Sequence, residues 1–157
     1  MSTYVFDLEA NGLDPDTIFV ICGKFTGDKH IDTFVDPHDQ YEGIRQRIEE
    51  ADQIICHNLI DYDRFVLNKI LGIKIPFMKC YDSLVLSRLL WPDRPIPTGY
   101  RGKGGPHSLD VWGYRVGVEK PVHEDWTQLS DEMVYRCQED VKINELVWYE
   151  LMKEAKV

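Results

Sequence analysis

Basic residues are in the minority in this chain of 157 residues: 18 lysines and arginines stand against 27 aspartates and glutamates, for a net charge of −9. That balance argues against a surface that grips nucleic acid through bulk positive charge, which shows itself as a basic excess. No apolar run approaches the length of a membrane span, and the N-terminus lacks a basic-then-apolar signal pattern, so no membrane partner is expected. Cysteines are few and scattered: Cys22, Cys56, Cys80 and Cys137 show no paired metal-binding spacing. Most sit in apolar runs, where a free thiol behaves as a small hydrophobe, and they read as reduced core residues of a cytoplasmic protein. Internal repeats are absent. The length fits a single domain over residues 1–157 with a sizeable core.

Hydrophobic periodicity predicts the elements. Residues 3–9 read as a strand that runs into turn signals at Gly12 and Asp14-Pro15. Thr17 to Phe25 and His30 to Val35 give two more strands, joined by a turn at Gly27-Asp28. Tyr41, Ile44 and Ile48 recur at helical spacing, and Gln53 to Cys56 is a short buried strand. Tyr62 to Leu71 is helical and stops at Gly72, and Asp82 is placed to cap a helix through Leu90. Ser108 to Val116 and Ser130 to Lys153 supply the last two helices. The order β-β-β-α-β-α-α-α implies an α/β fold, a mixed sheet flanked by helices.

Against this background the segment Tyr4-Val5-Phe6-Asp7-Leu8-Glu9-Ala10-Asn11-Gly12 stands out. On a strand, residues i and i+2 share a face, so Asp7 and Glu9 project together while Phe6 and Leu8 enter the core. Two adjacent acids repel and are costly to desolvate unless a cation lies between them. A hard divalent ion with oxygen ligands is the simplest such cation, and a solvated acidic edge is the plain alternative. Two more acidic signals follow: His57-Asn58-Leu59-Ile60-Asp61-Tyr62-Asp63 opens a helix, and Tyr135-Arg136-Cys137-Gln138-Glu139-Asp140 lies in the last one.

Taken together, these motifs resemble the DEDD (DnaQ-like) 3′–5′ exonucleases, most closely the proofreading domains of family A DNA polymerases from small phages. Asp7-Leu8-Glu9-Ala10-Asn11 matches the first motif of that family, and His57-Asn58 through Tyr62-Asp63 the second. Asp82 to Leu89 and His107 to Arg115 carry further likeness, so it spans nearly the whole chain. The resemblance implies an RNase H-like fold and two Mg²⁺ or Mn²⁺ ions held by Asp7, Glu9, Asp63 and Asp140. It also implies release of nucleoside 5′-monophosphates from 3′ ends, with single-stranded DNA favoured over RNA. Four carboxylates would nearly cancel two dications, leaving room for an anionic strand. With no polymerase segment after residue 157, a free-standing version is expected, with a DNA polymerase as a possible partner and a phage-infected or bacterial cell as its setting. The alternatives are a small exoribonuclease or oligoribonuclease, and a catalytically weak subunit that docks on a polymerase.

The third motif departs from the family pattern, in which a histidine lies five residues before the last acid or a tyrosine four before it. Tyr135 lies five before Asp140, and Arg136 lies four before it. On a regular helix five residues turn about 500°, leaving Tyr135 about 140° from Asp140. A catalytic Tyr135 that orients the attacking water therefore requires an irregular helix start or a long reach, and a partly buried packing residue is the other reading. His107 and His123 are candidates for the missing histidine, His107 also being placed to cap or pack at a helix start. Asn58 is expected either to hydrogen-bond the terminal nucleotide or to tie down the strand end.

Residues 91–107 form an irregular loop, with four prolines and four glycines between Trp91 and Pro106. Arg94, Arg101 and Lys103 make the stretch from Arg94 to His107 basic and free of acids. Arg101 and Lys103 suit a phosphate clamp or, equally, a solvated flexible loop. Trp112 and Tyr114 are expected in the core.

Overall fold

A computed structural model describes residues 1–118 and 125–156. Five strands form one sheet in the order β3-β2-β1-β4-β5. β1 (Thr3–Ala10), β2 (Ile18–Phe25) and β3 (Asp32–Val35) are an antiparallel meander. β4 (Gln53–Cys56) joins β1 in parallel, and β5 (Cys80–Asp82) joins β4 in parallel. The helices are α1 (Tyr41–Glu50), α2 (Arg64–Leu71), α3 (Ser83–Leu90), α4 (Leu109–Val116) and α5 (Asp131–Glu154). This is the mixed, helix-flanked sheet that the element order implies.

The strand alternation of β1 divides the core. Tyr4, Phe6 and Leu8 pack with Ile44, Ile48, Val66 and Leu67 on one face of the sheet. Val5 packs on the other face with Val20, Cys22 and Ile55 against Met133, Cys137, Val141 and Trp148 of α5. Asp7 and Glu9 share parity with Val5, so they point toward the α5 side, where the strand outruns its apolar cover. All four cysteines are free, and Cys22, Cys56 and Cys137 are buried.

Capping side chains end the helices where the sequence places them. Ser108 and Ser130 accept hydrogen bonds from the amides of Val111 and Met133, and Gly72 closes α2 at φ 69°. Three features depart from the sequence-based expectation. β5 is unforeseen, because three residues carry no periodicity and the strand exists only through pairing with β4. Before α2 the chain makes a wide π-type turn over Leu59–Asp63, which follows Asn58 in the left-handed region at φ 73°. Asparagine is among the few side chains that tolerate this conformation. Tyr114 is 40% exposed rather than core; its ring stacks edge-on against Tyr100, and its hydroxyl donates to the Thr98 carbonyl. Trp112 is buried, as expected.

Arg94 also differs from its reading as loop charge. It is buried, its two terminal nitrogens each donate to Glu154 at 2.7 Å, and its guanidinium lies 4.6 Å from the Trp112 ring centre. It anchors the loop to the end of α5 and contributes no free positive charge. Arg101 and Lys103 are exposed. Around them the loop is tied inward: the Tyr100 hydroxyl donates to Asp110 and accepts from the amide of Gly104.

The buried Asp82 carboxylate holds the ends of both parallel strands. It accepts from the amides of Asn58 (2.9 Å) and Ile60 (3.0 Å), and caps α3 through Leu84 (3.0 Å) and Val85 (3.4 Å). Asp82→Ala leaves these amides short of acceptors and removes a cap, so it should cost about 3 kcal/mol. The melting temperature should fall by roughly 6–12 °C for a domain of this size. Differential scanning calorimetry on both proteins tests this.

Candidate active site

One cleft of about 240 Å³ opens at the C-terminal end of β1. β1 supplies Asp7, Leu8 and Glu9; the end of β4 and the π turn supply His57, Asn58, Tyr62 and Asp63; α5 supplies Arg136 and Asp140. Leu109 and Trp126 complete the lining. The four acids, separated by up to 133 positions in sequence, thus share one wall-to-wall space. A larger groove of about 630 Å³ lies between the start of the 91–107 loop, α4 and α5. Its acids, Glu150 and Glu154, are engaged by Lys153 and Arg94, so it holds no carboxylate cluster.

Asp63 is 3% exposed, and Asp140 likewise. Burial pushes the Asp63 carboxyl up to about 8, with Glu9 and Asp82 adding to the rise, although a hydrogen bond from the Cys56 thiol opposes it. Tyr62 reports the same negative field. Its hydroxyl is pushed up to about 12 by burial first, then by Asp63, Glu9 and Asp7, while it donates to the Gly12 carbonyl at 2.6 Å. A buried acid raised in this way, beside a tyrosine raised by the same acids, fits a site built to receive cations.

Donor atoms of Asp7, Asp63 and Cys56 lie within 4.8 Å of one another, as do those of Asp7, Glu9 and Cys137. The two thiols are poor ligands here. Burial raises Cys56 and Cys137 well above the ordinary thiol range, with Asp7 and other neighbours contributing, so both stay protonated. The Cys137 thiol instead meets the Asp7 carbonyl at 3.5 Å, tying α5 to β1. What remains is an oxygen donor set, which suits a hard divalent ion such as Mg²⁺ or Mn²⁺.

In the third motif, helix geometry separates Tyr135 from Asp140. α5 is regular from Asp131 onward, so Tyr135 points away from Asp140; it is 55% exposed and does not line the cleft. Glu139 turns aside to Lys142 at 2.7 Å. Arg136, one position after the tyrosine, faces the site instead. The signal for it was present in the sequence: i and i+4 share a helix face.

His107 is fixed as a packing residue, its ring bridging Ser87 (2.8 Å) and the Pro92 carbonyl (3.1 Å). His57 lies in the cleft, with one ring nitrogen on Ser83 (2.8 Å) and the other on the His107 carbonyl (3.0 Å). His123 lies outside the described residues. Asn58 lines the cleft and its amide is bound by Asp82, so its two expected roles are compatible. Arg101 and Lys103 do not line it.

No family model matches the chain. The DNA polymerase of Enterobacteria phage T3 aligns at 24% identity over 96% of this chain. The chain spans about a quarter of that relative, 26% of its length. Among solved structures, Brucella melitensis NrnC with bound Mg²⁺ superposes with a TM-score of 0.72 at 19% identity, covering 98% of this chain and 73% of that one. NrnC has also been solved bound to pGG. Escherichia coli RNase D, an exoribonuclease, superposes with a TM-score of 0.67 at 16% identity, covering 98% of this chain and 40% of that one. The chain is similar to the DnaQ-like exonucleases in sequence and in fold. Its sheet and flanking helices are the RNase H-like arrangement seen in these structures. No helix among the described residues is long and apolar enough to cross a membrane.

Ionised Asp63 works against the metal-free fold: the penalty sets in as pH rises above the ordinary carboxylate value and is complete above about 8. Below that pH a bound cation must displace the proton. Apparent Mn²⁺ affinity should therefore fall as pH drops from 8 to 6, by up to about tenfold per unit for one displaced proton. Calorimetric titration at pH 6, 7 and 8 checks this; an affinity independent of pH would place the ion away from Asp63.

Proposed function

We propose that this protein is a divalent-metal-dependent 3′–5′ exonuclease that removes nucleoside 5′-monophosphates from single-stranded DNA ends. The observation that carries the reading is the convergence of Asp7, Glu9, Asp63 and Asp140 on one cleft beside a tightly braced Asn58. These four carboxylates would hold two divalent ions, which when bound supply Lewis acidity to the attacking water and the leaving 3′ oxygen. Water adds at the terminal phosphorus, the bond to the 3′ oxygen of the penultimate nucleotide breaks, and that oxygen takes up a proton. Asn58 offers its side-chain amide to the terminal nucleotide. His57, pinned at both ring nitrogens, shapes the wall and is not available as a base. The likeness to a phage DNA polymerase supports DNA as substrate.

A second reading has its own support. NrnC, solved with pGG, and the exoribonuclease RNase D share this fold, which favours short RNA strands. The choice lies in contacts to the 2′-hydroxyl. Hydrolysis of 5′-labelled DNA and RNA strands of two to twenty nucleotides with Mn²⁺ or Mg²⁺ separates the two. EDTA should abolish activity. Asp7→Asn or Asp140→Asn should each reduce it by about a hundredfold or more with the fold intact, because residues that merely orient a metal ligand already cost about ten- to a hundredfold. Full activity in either variant would sink the metal assignment.

Arg101 and Lys103 sit on the loop that leads into α4, whose first residue, Leu109, lines the cleft. If they meet strand phosphates, replacing both by alanine should lower the slope of log affinity against log salt by roughly 1.4 on a single strand. An unchanged slope would make the loop a bystander.

A further inference from the structure

Among the described residues, Arg136 is the one lysine or arginine that lines the cleft of the four carboxylates. It lies four residues before Asp140 on α5, so the two are about 40° apart around the helix. Its guanidinium rests 4.7 Å from the Trp126 ring centre, and its buried Nε has no hydrogen-bond partner among the described residues. Two more deeply buried cations are ion-paired, although Arg94 likewise keeps an unpartnered Nε. Lys24 is met by Glu145 at 2.6 Å, and Arg94 is met by Glu154 at 2.7 Å. Arg136 is braced by an aromatic face, and no acid among the described residues forms an ion pair with it.

We propose that Arg136 contacts substrate, its guanidinium binding the non-bridging oxygens of the terminal phosphate. The proposal rests on the exonuclease reading and deepens it. Charge arithmetic supports it. Asp7, Glu9, Asp63 and Asp140 carry four negative charges, which two divalent ions would cancel, so acids and ions together no longer repel an anionic strand but add little net attraction for it. Arg136 supplies the missing positive charge on the same wall. Its planar fork matches two phosphate oxygens, and stacking on Trp126 fixes the plane of the fork before substrate arrives. A lysine would keep the charge and lose that match.

The proposed product tests this without turnover, because thymidine 5′-monophosphate carries the phosphate and cannot be hydrolysed further by the same reaction. Its binding is measured by calorimetry in saturating Mn²⁺, beside thymidine, which lacks the phosphate, and beside Mn²⁺ alone. Arg136→Ala should weaken the nucleotide about ten- to a hundredfold, the cost of a charged hydrogen bond. It should leave thymidine unchanged and Mn²⁺ as tight or tighter. Arg136→Lys should weaken the nucleotide several-fold less than alanine does, and it decides the matter if the alanine variant does not fold. Unchanged nucleotide affinity in the variants, with binding by the wild type intact, would overturn the role of Arg136 alone. Weakened Mn²⁺ binding in parallel with the nucleotide would also overturn it, showing a structural prop for the acids. No nucleotide binding by the wild-type protein would remove the exonuclease reading and this one with it.

Discussion

The site hangs on a carboxylate that does no chemistry. Asp82 ends β5, next to the end of β4, and reaches sideways to the amides of Asn58 and Ile60 while capping α3. Parallel strands finish with their backbone groups pointing at whatever follows, and a turn after such a strand needs its amides satisfied from outside. Asp82 does this for the turn that carries Asn58 and Asp63. Without that acceptor, the wide turn over Leu59–Asp63 would have no fixed starting point, and Asp63 would have no reason to lie buried beside Asp7.

α5 completes the arrangement from the opposite side. Its apolar stripe of Met133, Cys137 and Val141 covers one sheet face, and the Cys137 thiol touches the backbone of Asp7. Lys24 and Glu145 close the far end of the same interface as a buried pair. The helix that carries Asp140 is therefore the helix that seals the core, and the position of the last acid is fixed to the packing of the sheet. The placement of the acids and the packing of the sheet are thus coupled through one element.

What the sequence made legible follows from what is local. Alternation on β1 placed Asp7 and Glu9 on one face, the serine caps marked α4 and α5, and Gly72 closed α2. Contacts between distant segments stayed hidden. β5 exists only because β4 lies beside it, and Arg94 reads as loop charge until Glu154 arrives from 60 residues away. Asp63 could have been a solvated helix-terminal acid; burial decides otherwise, and burial is not written in its neighbours. The placement of Arg136 in the cleft lining was legible as well. The spacing that turns Tyr135 away from Asp140 also puts Arg136 on the face of Asp140.

The Arg94–Glu154 clamp has a consequence for anyone who re-engineers this domain. The guanidinium is enclosed between loop and helix, stacked on Trp112, and its charge is matched from the final turn of α5. Trimming that turn to attach a tag or a partner domain would leave a buried positive charge without its partner, a worse defect than losing a few exposed residues. A linker should therefore begin after residue 154. Loop grafts between residues 91 and 107 are best confined to the stretch around Arg101 and Lys103, leaving Arg94 in place.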